Sequence, residues 1–184
     1  CPLIIVTRDN GDLYYKPNLS KALATGKAPA TLIVKTRDVL QVDLNLEIRA
    51  DTALGSIDTD NQVITLLKEE VSERVPYQSL VLATGASPLN LGLSTRKPNR
   101  VMSINNLEDY LTFRSELTQD TKVLIVGAGY VGCEFAADLA STGHKVDIVD
   151  LSKWPLERVL PRALGARIVE VFPKDLVSWH LECA

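Results

Sequence analysis

An α/β fold with parallel strands is predicted by three observations. A β-branched apolar run stops at a glycine cluster, a helix-forming stretch follows it, and a second apolar run ends in a carboxylate. All three lie in residues 122–150, KVLIVGAGYVGCEFAADLASTGHKVDIVD. Lys122–Val126 reads as the first strand; Gly127, Gly129 and Gly132, with Tyr130 and Val131 between the last two, form a G-x-G-x-x-G where strand passes to helix. Helix formers continue over residues 135–141, Gly143 suits a helix C-terminal cap, and residues 145–149 read as a second buried strand leading to Asp150. This is the layout of a Rossmann-like βαβ unit, with an acid about 20 residues beyond the glycines.

Each part has a physical role in that layout. Gly127 permits the tight turn, Gly129 lets the backbone approach a pyrophosphate, and Gly132 lets helix and strand pack closely. N–H groups at the helix start hold the phosphates. Asp150 can accept both hydroxyls of a ribose, which points to NAD rather than a 2′-phosphorylated nucleotide, whereas Lys153 is placed to meet a 2′-phosphate and points the other way. A plain strand-to-helix turn would use the same glycines; it is the strand, helix, second strand and terminal acid together that favour a nucleotide loop.

The 184 residues, 46% hydrophobic and 23% charged, suit a globular chain of one large or two small domains. The net charge of −3 provides no basic stripe for nucleic acid, and no apolar run has the length of a membrane span. Three cysteines, Cys1, Cys133 and Cys183, have neither metal-ligand spacing nor the even count of a secreted disulfide scaffold, so no metal site is expected and a reducing, cytoplasmic compartment is.

Along the chain, residues 2–7 read as a buried parallel strand closed by a turn at Asp9, Asn10 and Gly11. A short helix follows, with Asn18 as N-cap and Gly26 as stop; Lys16 just ahead of it is either solvated surface or a contact to a phosphate or an electron-rich ring. Residues 35–41 have weak helical character, 44–49 alternate, and 52–58 and 62–67 read as strands joined by a turn at 58–61. Residues 69–76 read as an exposed charged connection. Residues 80–83 read as a buried strand ending abruptly at Thr84 and Gly85, the kind of carboxyl end outside which ligands of open α/β sheets bind. Residues 89–100 read as a link and 104–117 as an amphipathic helix. Beyond Asp150 come a loop over 151–161, a helix over 162–172 and a third strand over 177–181. The chain opens at Cys1 without Met and stops at its third strand, so sequence is expected to be missing at both ends.

Together these stretches resemble the pyridine-nucleotide flavoprotein reductases built from two dinucleotide-binding domains, most closely the rubredoxin–NAD reductases. The resemblance rests on Tyr15-Lys16-Pro17-Asn18-Leu19-Ser20, on Ala83-Thr84-Gly85-Ala86, on Ile104-Asn105-Asn106-Leu107-Glu108-Asp109-Tyr110, and on residues 127–136. It implies two Rossmann-like, three-layer FAD/NAD(P)-binding domains, both incomplete: residues 1–95 for FAD and 96–184 for NAD. By position, Thr7 and Arg8 resemble contacts to the adenosine side of FAD, Leu54 a backbone contact, and Ala83, Thr84 and Gly85 a second FAD-contacting turn. Lys16 is similar to a lysine that approaches the flavin. Glu134 is similar to a glutamate between nicotinamide and flavin, although a first-turn acid is also favoured by the helix dipole. Lys16 and Glu134 are thus the candidate catalytic residues.

The glycine loop for the FAD pyrophosphate and the family's second flavin-side segment are not in this sequence, and neither is the redox Cys pair of the disulfide reductases. The function implied is an FAD- and NADH-dependent reductase that passes electrons to rubredoxin or a similar small carrier, without nucleic acid or membrane as partner. The flavin module of a nitrite or ferredoxin reductase and a non-catalytic NAD-binding fragment are the competing readings. By itself the chain is expected to be inactive, because the FAD pyrophosphate loop is missing.

Overall fold

The protein is described by a computed structural model that covers residues 3–93 and 100–183. The chain divides into two compact units, Cys1–Tyr15 with Ile33–Leu93, and Lys16–Leu32 with Ser94–Ala184.

In the first unit, β1 (Ile4–Val6) pairs in parallel with β4 (Glu47–Arg49), and β2 (Leu13–Tyr14) pairs antiparallel with β3 (Ile33–Lys35). The Asp9 carboxylate closes the turn after β1 by accepting from the Thr7 hydroxyl at 2.7 Å and the Gly11 N–H at 3.0 Å. Helix α1 (Arg37–Leu44) starts two residues later than the sequence suggests and ends at Asn45 in the left-handed region. An antiparallel meander follows: β5 (Ala53–Asp58), β6 (Val63–Lys68) and β7 (Val71–Pro76). Ile64 and Leu66 alternate into the core from its central strand. The β5–β6 turn is held by Asp58, which accepts from the Asn61 backbone at 3.0 Å and side chain at 2.8 Å.

Two expectations for this unit are corrected. Residues 69–76 are not a bare connection: β7 lies along β6 with Val71 opposite Lys68 and Pro76 opposite Val63. Its charged side chains stand on an exposed edge strand, where polarity does not oppose pairing, and Pro76 at the strand end removes no needed donor. Residues 80–83 form no strand among the described residues, and Val81 is 86% exposed. An apolar run becomes a strand only when a ladder partner is beside it, and among the described residues β1 and β4 pair only with each other.

The second unit is built on a parallel sheet of order β10-β9-β8, from β8 (Lys122–Val126), β9 (Lys145–Asp150) and β10 (Val177–Leu181). Helix α3 (Tyr130–Ser141) links β8 to β9, and α4 (Arg162–Val171) links β9 to β10. The apolar core joins Ala136, Leu139 and Ala140 of α3 to Val146, Ile148 and Val177 of the sheet, with Leu23 in the same cluster. The stop after α3 is as expected, with Gly143 at φ 85°. Gly165 is needed for packing, since a Cβ there would fall 2.3 Å from the Trp154 ring, which is itself fixed by a 2.9 Å bond to the Leu160 carbonyl. Helix α2 (Leu107–Glu116) begins in a reciprocal capping box, in which Asn106 accepts from the Asp109 N–H and Asp109 accepts from the Asn106 N–H.

The segment after β2 is a 3-10 turn over Lys16–Lys21, so Asn18 lies inside it and is not an N-cap. Pro17, the second residue of that turn, fixes its own φ where no N–H is needed, so the turn is under way before Asn18. Gly26, at φ 62°, ends the segment as expected. Of the predicted link over residues 89–100, positions 94–99 lie outside the described residues. No helix among the described residues is long and apolar enough to cross a membrane.

The capping box gives the first prediction. Asn106→Ala removes the acceptor for the Asp109 N–H and should destabilise the protein by about 1 kcal/mol, read as a lower urea midpoint at unchanged slope. An unchanged midpoint would show that the box contributes nothing.

Candidate functional site: a pinned glycine loop and a clamped lysine segment

The glycine loop between β8 and α3 is held from four sides. Gly127 donates to the Val149 carbonyl at 2.8 Å, and the Ala128 N–H donates to the Asp150 carboxylate. The Ala128 carbonyl accepts from the Leu156 N–H at 2.9 Å, and the Cys133 N–H donates to the Gly129 carbonyl at 3.0 Å as the first bond inside the helix. The N–H groups of Tyr130, Val131 and Gly132 precede that bond and are the donors a helix N-terminus offers to an anion.

The three glycines have distinct duties. Gly127 adopts φ 114°, a conformation that L side chains rarely reach. A Cβ on Gly132 would sit 2.0 Å from the Gly127 carbonyl oxygen, so only glycine lets α3 approach β8 this closely. A Cβ on Gly129 meets nothing within 4 Å, so the backbone there faces open space. That open, donor-lined turn fits a dinucleotide pyrophosphate. Tyr130 and Val131 are exposed at the helix start.

Asp150 does more than end a strand. Besides Ala128, it accepts from the Ser152 N–H at 2.6 Å. Burial alone would raise its pKa, but the Ser152 hydroxyl, the Ala128 and Ser152 N–H groups and the charge of Arg158 outweigh it, and the carboxyl stays below its ordinary value. Two backbone bonds leave lone pairs of the carboxylate for a ribose. Lys153 lies in the same loop, with its N–H on Glu157 at 2.9 Å and its side chain exposed. Cys133, one turn into α3, is pushed up to about 11 by burial and by the charge of Asp150, so it is a neutral thiol at physiological pH and no nucleophile.

Further along α3 lies a set of residues that the sequence reading only half found. Glu134 accepts from the Ser20 hydroxyl at 2.6 Å, and Asp138, one turn later, accepts from the N–H groups of Leu23 at 3.1 Å and Ala24 at 2.7 Å. Lys16, at the start of that segment, donates through Nζ to Asn105 Oδ1 at 2.8 Å, and the Asn105 N–H donates to Asp109 at 2.8 Å. Lys16 and Glu134 therefore each have a neutral partner, and no ion pair joins them among the described residues. Asp138 and Ser20 were missed, yet Asp138 carried a signal: an acid four residues after Glu134 falls on the same helix face, inside an otherwise apolar Ala-Ala-Asp-Leu-Ala run.

In the first unit, Thr7 lies just beyond β1, its N–H on the Arg49 carbonyl at 3.1 Å, and Arg8 next to it is exposed. Leu54 sits on β5 opposite Leu66. Ala83, Thr84 and Gly85 are exposed, and Gly85 has φ 67° with open space around its Cβ position. The cavity of about 380 Å³ in this unit is lined by Arg37, Arg49, Lys68 and Glu73 among others, and by none of these predicted residues.

Residues 2–184 match the pyridine nucleotide-disulphide oxidoreductase family. The chain belongs to that family. Among its relatives, the rubredoxin-NAD(+) reductase of Acinetobacter baylyi is 38% identical over 176 residues, 95% of this chain and 44% of that protein. The corresponding enzyme of Alcanivorax borkumensis is 33% identical, over 96% of this chain and 44% of that one. Among solved structures, the covalent putidaredoxin reductase–putidaredoxin complex superposes with a TM-score of 0.86 at 26% identity, over 98% of this chain and 43% of that one. The chain thus spans less than half the length of the curated relatives it matches. FAD and NAD(H), the cofactors expected from the sequence, are those of this oxidoreductase family, and the Rossmann-like fold agrees.

Two predictions separate the duties of the loop. Gly129→Val, with open space around it, should leave the thermal midpoint within about 2 °C but weaken NADH binding more than about tenfold in a titration. Gly132→Ala should lower the midpoint itself, because its methyl meets backbone. Equal behaviour of the two variants would contradict this division.

The Asp150 anchor has a pH window. Its folded pKa is depressed, so its contribution is fully present above the ordinary carboxylate value near 3.8 and is lost as pH falls through the lower folded value. Stability measured below about pH 4 should therefore fall more steeply in the natural protein than in Asp150→Asn. Parallel profiles would show that the carboxylate contributes nothing to holding the loop.

Proposed function

We propose that this chain is the nucleotide-binding part of an NADH-dependent flavoprotein reductase that delivers electrons to rubredoxin. The observation that carries the reading is the pinned, open glycine loop tied to Asp150. In this reading residues 96–184 bind NAD(H): Gly127, Gly129 and Gly132 shape the turn, the N–H groups of Tyr130, Val131 and Gly132 hold the pyrophosphate, and Asp150 takes the adenosine ribose. Residues 1–95 bind FAD through Thr7, Arg8, Leu54, Ala83, Thr84 and Gly85. Lys16, from a segment of this part seated on α3, and Glu134 are the side chains nearest the reacting rings.

When bound, the cofactors supply the chemistry: a hydride passes from NADH to FAD, and electrons leave the flavin singly. The chain's residues orient the rings and set the local charge. Glu134, held by Ser20, keeps its carboxylate in one rotamer, and Lys16, held by Asn105, keeps a cation at a defined place. Similarity to two rubredoxin-NAD(+) reductases supports rubredoxin as the acceptor, and similarity to putidaredoxin reductase, whose structure was solved with putidaredoxin, supports a small carrier protein in general. The cysteine usage supports a reducing, cytoplasmic setting.

The test uses the intact protein purified with its flavin. NADH should bleach the flavin's visible absorbance, and reduced rubredoxin should accumulate faster than a reduced plant-type ferredoxin supplied at equal concentration. Bleaching with no preference would retain the reductase and sink rubredoxin as acceptor. Bound nucleotide without flavin would sink the reductase.

A further inference from the structure

We propose that Asp138 is a positioning residue that seats Lys16 on helix α3. The inference rests on the proposed role of Lys16 beside the flavin. Asp138 is 2% exposed, on the inner face of α3, and a carboxylate so placed is costly unless its lone pairs are filled. They are filled by the backbone N–H groups of Leu23 and Ala24, one oxygen for each. These donors lie in the irregular turn just past the 3-10 segment, where the chain has no ladder or regular helix to take them. Two successive amides donating to one buried carboxylate fix the direction of the segment as well as its distance.

The neighbouring contacts make the seat specific to Lys16. Ser20, between Lys16 and the Asp138 bonds, is itself 5% exposed and tied to Glu134. Leu19, Ala22 and Leu23 bury their side chains in the same unit. Lys16 is the exposed end of an otherwise fixed segment, and its Nζ meets Asn105, whose own N–H is bonded to the Asp109 of the α2 capping box. The groups facing Asp138 from the packed elements are Tyr110 and Arg114 of α2. Burial raises the Asp138 carboxyl above its ordinary value, and the Ala24 and Leu23 N–H groups and the charge of Arg114 act against that rise. Glu134 and Asp138 are thus successive rungs on one helix face. The first touches the site, and the second places the segment that brings Lys16 to it.

Asp138→Asn tests this at constant volume, because the amide offers one acceptor where two N–H groups need two. In the intact, flavin-loaded protein, the Leu23 and Ala24 amides should exchange at least about tenfold faster, and kcat should fall between about tenfold and a hundredfold while the KM for NADH stays within about twofold. Lys16→Ala should show the same split, and the double variant should be no slower than Lys16→Ala alone, since both changes remove one unit. If Asp138→Asn is too unstable to purify, Asp138→Ser carries the same test. Multiplying effects, a raised KM with unchanged kcat, or unchanged exchange at Leu23 and Ala24 would overturn the proposal. Full activity in Lys16→Ala alongside faster exchange in Asp138→Asn would instead overturn the role of Lys16 on which it rests.

Discussion

The bond from the Ala128 N–H to the Asp150 carboxylate is the constraint on which the second unit depends. It ties the turn after β8 to the end of β9, two points that are far apart in sequence and adjacent only because the strands are parallel neighbours. With that tie in place the turn is held to the sheet, α3 starts at a fixed height, and the space around the Gly129 Cβ position is open. Every later position on α3, including Glu134 and Asp138, inherits its place from that start. A carboxylate with both backbone bonds made is also a pre-oriented acceptor, which is what recognition of a ribose requires.

Glycine 132 shows how the same region spends its backbone freedom. Helix and strand approach so closely that a methyl group has no room, whereas at Gly129 the room is ample. The motif therefore mixes a packing requirement with a ligand requirement, and spacing alone does not say which glycine serves which. The structure separates them by what a side chain would meet.

Much of this was legible in the chain. The strand, glycine turn, helix and second strand of residues 122–150 follow from local periodicity, and they lie where predicted because their partners are within that stretch: β8 pairs with β9, and α3 packs on the sheet. Legibility failed where structure depends on distant partners. Residues 80–83 are apolar, yet they form no ladder among the described residues and Val81 and Leu82 stay exposed, while residues 71–76, with Glu73 and Arg74 among them, become a strand because β6 lies beside them. Asn18 suits a cap, but the turn is already under way at Lys16 and Pro17. The Lys16 segment could be recognised as a motif, whereas its attachment to Asp138 could not, since backbone amides leave no trace in the side-chain pattern.

In the proposed function the pinned loop and Asp150 together bind the adenosine half of NAD and reject a 2′-phosphate. Calorimetric titration of the intact protein with NADH and NADPH tests it most directly. NADH should bind tighter than NADPH by at least about tenfold, ~1.4 kcal/mol, with the difference lost in Asp150→Asn. Equal affinities, or tighter binding of NADPH, would contradict it.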